Sequence, residues 1–400
     1  MKKKLSSRAR ILRAIRHQEP DFVPVAPRVW AWLLDHYGSA RWMWTLRAAL
    51  EYDFDPIIYV DNPYGNVVDP SSKGYQHVSS IGTPTDPFLY QPNIKVHLEV
   101  ERLTDATLIK RRIETPGGVL TDCVKRPKPG TGYGIDPNPQ WLERLVKGPE
   151  DLDAVAYLLP QPAVDDFKDV VAFQDEIGER GLVNLYVPSA IDYQAGWAAD
   201  TEELMVASLR RPDFVMQLLQ VFHTNTMAQT VAALQAGVEV IFTPFYFASL
   251  SAGWSPKFYQ DFILPLVREQ VALVHSHGRL YHYYDDGKVD GILDWLGEAG
   301  VDILSTLPPP PTGDTDLATA KSRIGRQVCL NGNIDVVHVI KEGTPDMVSS
   351  KVREAIIAAA PGGGFILGTS DSIRDAPSEN VGAFFNAARL YGNYAHLGEP

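Results

Sequence analysis

The stretch that decides the fold covers residues 256–286 and reads PKFYQDFILPLVREQVALVHSHGRLYHYYDD. Over 256–277 apolar residues recur at the three- and four-residue spacing of an amphipathic helix. After Gly278 the pattern changes to a short apolar and aromatic run, residues 279–284, which ends in two carboxylates. This order predicts a helix followed by a buried strand whose carboxyl end reaches a polar region.

The same helix-and-strand unit recurs on both sides of this stretch. Strands are predicted at 22–26, 56–60, 182–187, 238–242, 279–284, 302–305, 327–330 and 364–367. Eight strands that alternate with helices favour a closed barrel of parallel strands over an open sheet. We therefore predict an α/β fold, a (β/α)8 TIM barrel. The sequence has no glycine-rich dinucleotide motif after the first strand and no Walker A motif, which argues against the other common parallel folds.

One region interrupts this alternation, between residues 62 and 135. Alternating segments at 96–102, 108–113 and 119–124 are separated by turn residues. They predict antiparallel hairpins inserted after the second strand of a single barrel domain that spans 1–400.

Composition excludes several classes of protein. Lys and Arg number 37 and Asp and Glu number 49, so the net charge is −12, which disfavours nucleic-acid and anionic-membrane partners. No uncharged apolar stretch reaches the length of a membrane span. The two cysteines, Cys123 and Cys329, are too few for a disulfide scaffold, so we expect a reducing, cytoplasmic compartment. The oligomeric state stays open.

Candidate site residues lie where the predicted strands end, because the chemistry of such barrels belongs at the carboxyl ends of the strands. Residues of this kind that could bind a substrate are Arg28, Tyr193, Tyr246, Asn331 and Asp371.

Candidate catalytic residues lie at two strand ends. His282, Tyr284 and Asp286 share one face of a strand, since alternate side chains point the same way. They could bind a metal, relay a proton or hold a polar ligand, or they could form a structural network in which Asp286 caps the next helix. Asp61 ends an apolar strand and is either a buried site carboxylate or part of an Asx turn over 61–63.

The order of four short motifs resembles that of the uroporphyrinogen decarboxylase superfamily. This superfamily contains the decarboxylases and the methyltransferases of corrinoid-dependent systems, and its fold is a (β/α)8 barrel. The motifs are RILRAIR at 10–16 with EPD at 19–21 and VPV at 23–25; SPKF at 255–258 with Pro265; DG at 286–287 with EAGVD at 298–302; and GNID at 332–335 with Pro377 and ENV at 379–381.

The resemblance also bears on the site. Asp61 matches the strand-end aspartate that the decarboxylases use at the pyrrole nitrogens, but the arginine-rich segment that holds the propionates of uroporphyrinogen is reduced to Arg28. The zinc methyltransferases use thiolates at positions that are here Asp286 and Ser370. Without those soft ligands, a zinc ion, if one binds, would be held by His282 and Asp286.

These features lead to a principal hypothesis and two rivals. The principal one is a corrinoid-dependent methyltransferase that demethylates a small methoxylated or methylated compound, with an O-demethylase of aromatic ethers as its main form. No cobalamin-binding motif is present, so a separate corrinoid protein would bring the cofactor. The runner-up is a decarboxylase of a pyrrolic or aromatic carboxylic acid. The third is a barrel that only binds a ligand or partner.

Overall fold

The computed structural model describes residues 4–39, 42–64, 93–128, 130, 140–197 and 201–397. The chain forms two compact units. Unit 1 consists of Met1–Val60, Val164–Tyr186 and Ala233–Pro400, and unit 2 consists of Asp61–Ala163 and Val187–Ala232.

The described residues contain eleven strands. They are β1 Ile57–Val60, β2 Lys95–Arg102, β3 Ala106–Thr115, β4 Gly118–Pro127, β5 Gln140–Glu143, β6 Leu182–Tyr186, β7 Val240–Pro244, β8 Leu280–Asp285, β9 Ile303–Thr306, β10 Cys329–Ile334 and β11 Phe365–Thr369.

The α-helices of the described residues number fourteen. They are α1 Ser7–Ile15, α2 Trp30–Tyr37, α3 Trp42–Tyr52, α4 Leu152–Ala156, α5 Lys168–Ile177, α6 Ala190–Trp197, α7 Thr201–Arg210, α8 Pro212–Ala236, α9 Pro256–Phe258, α10 Leu264–Ser276, α11 Leu293–Ala299, α12 Leu317–Ile324, α13 Pro345–Ala359 and α14 Ser378–Tyr391. None of the described helices is long and apolar enough to cross a bilayer.

Unit 1 is built on a curled, seven-stranded parallel sheet in the order β1-β6-β7-β8-β9-β10-β11. Its strands are buried on both faces, as their apolar sequences predict. α13 shows how the helices cover the sheet. The Thr344 hydroxyl accepts a hydrogen bond from the Met347 amide at 3.2 Å to begin the helix, and the buried side chains follow a helical spacing, Val348, Val352, Ala355, Ile356 and Ala359.

The amino-terminal ends of the strands enclose the apolar core. Ile11 and Ile15 of α1 pack there against the first residues of several strands, among them Ile57, Leu182 and Ile303. Because this end is filled by aliphatic side chains, the polar and aromatic groups of the sheet lie towards its carboxyl end.

The first predicted strand, 22–26, is not a regular strand. It forms one isolated parallel bridge to β11, between Val25 and Leu367, with the Ala26 amide donating to the Leu367 carbonyl at 2.8 Å, and one antiparallel bridge between Phe22 and Asn393. Pro24 and Pro27 have no N–H to donate, which limits the ladder to a few bonds. The parallel, barrel-like α/β architecture is therefore confirmed, while the regular eighth strand is not seen.

One helix prediction also needs correction. The predicted continuous helix over 256–277 is α9, a π-helical turn at Tyr259–Ile263, and α10. Pro265 has no N–H to donate to the carbonyl of Asp261, four residues earlier, as a regular helix would require. This missing bond accounts for the irregular hydrogen bonding just before Pro265.

The irregular segment 22–26 is held in place by the buried ion pair between Arg10 and Asp55. Arg10 donates through Nη1 to Asp55 Oδ1 at 2.5 Å and through Nε to Asp21 Oδ1 at 2.8 Å, and Asp55 Oδ2 accepts from the Val25 amide at 3.1 Å. The guanidinium thus joins α1 to Asp21, which directly precedes the segment 22–26, and to Asp55, which lies just before β1.

We expect Arg10→Leu to lower the free energy of unfolding by about 3–5 kcal/mol, because it leaves the Asp55 carboxylate buried without its cation. The control is Arg323→Leu, which breaks more exposed ion pairs to Asp290 and Asp294 and should cost less than about 1 kcal/mol. Urea unfolding followed by circular dichroism measures both. Equal losses in the two variants would contradict the role of Arg10.

Unit 2 contains a four-stranded antiparallel sheet in the order β2-β3-β4-β5. Arg111 and Asp122 stand directly opposite each other on β3 and β4 and form a buried ion pair. Gly117 lies in the β3–β4 turn, where a Cβ would approach the Asp153 carbonyl oxygen to 2.7 Å. Parts of the predicted insertion, 65–92 and 131–139, lie outside the described residues, so an insertion over the whole of 62–135 stays a prediction.

Candidate active site at the carboxyl end of the parallel sheet

The alternation of β8 separates two sets of side chains. Tyr281 and Tyr283 face α10 and the π-helical turn, where their hydroxyls bond to Gln270 Oε1 at 3.0 Å and to the Tyr259 hydroxyl at 3.1 Å. His282 and Tyr284 lie on the opposite face, and both contact the Phe242 ring. The candidate site is built on this second face.

His282 is buried at the centre of a polar chain across three strands. Its Nδ1 accepts from the Asn184 amide at 2.7 Å, so Nε2 carries the proton and donates to the Ser305 hydroxyl at 2.7 Å. Burial and the nearby Arg28 charge lower the pKa of His282 to about 3. The imidazole is therefore neutral at pH 7 and has no proton of useful acidity to transfer, which argues against the proton relay that the sequence offered as one role for it.

This neutral histidine gives stability a defined pH dependence. The unfolded imidazole titrates near 6.5 and the folded one at about 3, so protons favour the unfolded chain as pH falls through that window. Between pH 7 and 5 we expect the loss to reach about 2 kcal/mol. His282→Gln should lack this component. Urea unfolding at pH 7 and at pH 5 compares the two proteins, and an identical loss in both would contradict a buried neutral His282.

Arg28 is the buried cation of the site. Its guanidinium lies 4.1 Å from the centroid of the Tyr284 ring and 5.5 Å from that of Tyr59. The backbone is fixed by the end of β11, because the Arg28 amide donates to Thr369 Oγ1 at 3.1 Å and its carbonyl accepts from the Ile373 amide at 2.9 Å. Nε and Nη1 are buried and have no hydrogen-bond partner among the described residues. Arg28 therefore presents two unused donors within an aromatic enclosure.

Two carboxyls at the end of β8, those of Asp285 and Asp286, have raised pKa values. Burial, followed by repulsion from Asp371, raises the pKa of Asp286, against the opposing effects of Arg28 and the Tyr284 hydroxyl. Burial and the charge of Asp286 raise the pKa of Asp285 to about 8. Asp285 Oδ1 accepts from the Gly287 amide at 2.8 Å and so shapes the turn, whereas Asp286 is the carboxyl close to Arg28.

The remaining predicted residues of unit 1 are Tyr246, Asn331 and Asp371. The Tyr246 ring packs edge-on against Tyr284 with centroids 5.2 Å apart. Asn331 lies within β10 rather than after it and packs against Gly368 of β11. Asp371 is exposed just beyond β11, near enough to raise the pKa of Asp286.

Two predicted residues belong to unit 2. Asp61 follows β1 directly, and burial raises its pKa to about 7. Tyr193 comes after the end of β6, as predicted, and lies on α6, where its hydroxyl accepts from Gln229 Nε2 at 2.8 Å and its ring stacks on Phe222.

The donor set does not fit a zinc ion. Both nitrogens of His282 are already hydrogen-bonded, and the Ser370 hydroxyl accepts from the Val336 amide at 3.2 Å. Across the part of the chain that the structure describes, no three His, Cys, Asp or Glu side chains are grouped as metal ligands. We therefore derive no catalytic step through a metal held by His282 and Asp286.

Sequence reasoning missed part of the site. Asn184 sits in the middle of β6 and not at its end, although it is the one polar residue of LVNLY and could have been noticed for that reason. Phe242 lies within an apolar run, where nothing distinguishes a site residue from a core residue.

Comparison with known proteins agrees with this architecture. The family model for uroporphyrinogen decarboxylase (URO-D) matches residues 193–391. The uroporphyrinogen decarboxylase of Crocosphaera subtropica is 23% identical over 291 residues, which cover 70% of this chain and 79% of that protein. The decarboxylase of Trichodesmium erythraeum is 30% identical over 146 residues, or 36% of this chain and 39% of that protein.

A solved structure extends the agreement to nearly the whole chain. A methyltransferase from Methanosarcina mazei has a TM-score of 0.61 at 16% identity, covering 97% of this chain and 99% of that one. At such identity the likeness concerns the fold. The parallel sheet of this chain, with polar groups at its carboxyl end, therefore has a barrel-like fold. The order of its motifs predicts the uroporphyrinogen decarboxylase superfamily, and the family-model match, the curated relatives and the fold support that assignment.

Proposed function

We propose that this protein is a corrinoid-dependent methyltransferase that removes the methyl group of a small methoxylated aromatic acid. The observation that carries the proposal is Arg28, a buried cation that lies against the rings of Tyr59 and Tyr284 and has two donors without a hydrogen-bond partner in the described part of the chain. An aromatic acid meets both needs of this enclosure, because its ring packs on the aromatic walls and its carboxylate accepts the free donors.

Asp286 is the proton donor in this proposal. When the methyl group leaves, the electron pair of the O–CH3 bond stays on the oxygen, and the resulting phenolate needs a proton. Asp286 retains a proton above the usual range of a carboxyl and lies near Arg28. Neutral His282 would orient the Ser305 hydroxyl through its Nε2 proton instead of transferring one.

The methyl acceptor would be a reduced corrinoid, which supplies a cobalt nucleophile and is carried by a separate protein. The residues of this chain bind the aromatic acid, exclude water from the ether oxygen and protonate it. Asp61 enters through the family resemblance, as the counterpart of the strand-end aspartate that acts on substrate in the decarboxylases.

Decarboxylation of an aromatic or pyrrolic acid is the second candidate. The curated relatives are named uroporphyrinogen decarboxylases, and Arg28 could equally hold a carboxylate of such a substrate. Arg28 is the one buried arginine that the described residues place at the candidate site, which is a poor match for uroporphyrinogen itself, because that molecule carries eight carboxylates and calls for several cations.

A single-turnover assay tests the proposal. Enzyme is mixed with a reduced corrinoid protein and a methoxybenzoate, and methyl transfer is read from the cobalt absorption. We expect transfer from the methoxybenzoate and much slower transfer from anisole, which has the ether but lacks the carboxylate. Carbon dioxide release without a cobalt change would favour the decarboxylase instead.

A further inference from the structure

A chain of buried amides in unit 2 centres on Gln229 of α8. Gln229 is fully buried, and its Oε1 accepts from Asn62 Nδ2 at 2.5 Å. Its Nε2 donates to the Tyr193 hydroxyl at 2.8 Å and to Asn225 Oδ1 at 2.5 Å. Asn225 in turn donates to the Pro160 carbonyl at 2.6 Å. The Gln229 side chain therefore ties α8 to two separate segments, the one at Asn62 and α6.

The first of these segments carries Asp61. Asn62 Oδ1 accepts from the Tyr64 amide at 2.9 Å, so residues 62–64 form an Asx turn, one residue later than the turn over 61–63 that the sequence offered as an alternative for Asp61. The Asn62 side chain is buried, and Gln229 is the group that accepts from its amide. The turn and the site carboxylate are thus not rival interpretations, because the turn holds the backbone next to Asp61.

We infer that Gln229 is a positioning residue, which fixes Asp61 through Asn62 and fixes the Tyr193 hydroxyl by a direct hydrogen bond. The inference rests on the proposed function, in which Asp61 acts on the substrate. Gln229 itself would touch neither substrate nor cofactor. An amide suits the place because it accepts from Asn62 and donates to Tyr193 and Asn225 at once, which neither a carboxylate nor an aliphatic side chain can do.

Removing the amide should loosen the turn. In Gln229→Leu the buried Asn62 amide loses its acceptor, so the segment is expected to shift towards water to satisfy it. Asp61 would then become more solvated, and its pKa, which burial raises to about 7, would fall towards the ordinary carboxyl range.

The experiment compares Gln229→Leu and Asn62→Ala, which break the same hydrogen bond from its two ends. Gln174→Leu is the matched control, since Gln174 is a buried glutamine that bonds only the backbone of Gly237 and Glu239 in the contacts described here. Two readouts are taken on full-length protein. One is the titration of Asp61 by carbon NMR with labelled aspartate, assigned with Asp61→Asn. The other is steady-state methyl-transfer kinetics, which give kcat and KM separately.

We expect the Asp61 pKa to fall by at least about one unit in both network variants, with kcat reduced roughly ten- to hundredfold and KM changed little. Gln174→Leu should move neither. If Gln229→Leu does not fold, Asn62→Ala carries the test. If the Asp61 pKa is unchanged in the folded variants, the inference is wrong, even where no activity is found. If the wild-type protein is inactive, the proposed function is wrong, and the titration of Asp61 alone decides the role of Gln229.

Discussion

Replacement of Asp286 by asparagine is expected to slow methyl transfer by about 10²–10⁴-fold in a single turnover, with little change in substrate affinity. Asparagine has nearly the shape of the carboxyl but cannot supply a proton to the departing phenolate. The carboxyl is suited to the task because burial and Asp371 raise its pKa, so that it keeps its proton closer to neutral pH.

The pH profile should identify the same group. A donor works while it is protonated, so activity is expected to be full below the pKa of Asp286 and to fall as pH rises through it. Asp286→Asn should lose that descending limb. The control is Asp294→Asn, an exposed carboxyl paired with Arg323, which should leave the rate unchanged. A rate for Asp286→Asn within about threefold of the wild type would remove Asp286 from the mechanism.

Replacement of Arg28 by methionine is expected to weaken binding of a methoxylated aromatic acid by about 2–5 kcal/mol, or roughly thirtyfold to several thousandfold. The reason is that the substrate carboxylate would be buried beside the Tyr59 and Tyr284 rings without its cation. Titration calorimetry measures the affinity directly.

Two controls make the Arg28 result specific. Arg374→Met removes an exposed arginine that lies over the Trp30 ring, and we expect normal affinity from it. The carboxamide analogue of the substrate should bind the wild type weakly and bind Arg28→Met no worse. If Arg28→Met binds the acid as tightly as the wild type does, Arg28 is a structural cation and the carboxylate is held elsewhere.

Local sequence patterns were enough to predict most of the fold. The buried strands from β6 to β11 have apolar sequences and polar carboxyl ends, and their positions agree with the prediction to within a few residues at each end. The exceptions have physical causes. Pro24 and Pro27 keep 22–26 from forming a regular strand. α6 is apolar on most of its surface, so it lacks the one-sided pattern that marks an amphipathic helix.

The position of the candidate site could be predicted from the sequence, but the protonation state of its histidine could not. Strand-end reasoning and alternation put Arg28, Tyr284 and Asp286 near one another. The protonation state of His282 could not be predicted, because it depends on burial and on Asn184, Ser305 and Arg28, which come from distant parts of the chain. The network around Gln229 was equally hidden, since a glutamine within a long helix has no sequence signature.

The most direct test of the central claim uses one substrate with two labels, a methoxybenzoate carrying carbon-13 in both the methoxy and the carboxyl group. It is incubated with the enzyme and a reduced corrinoid protein, and the products are followed by mass spectrometry. A methyltransferase leaves labelled methyl on the corrinoid protein and a hydroxybenzoate that retains its labelled carboxyl. Labelled carbon dioxide together with an intact methoxy group would contradict the proposal and identify a decarboxylase.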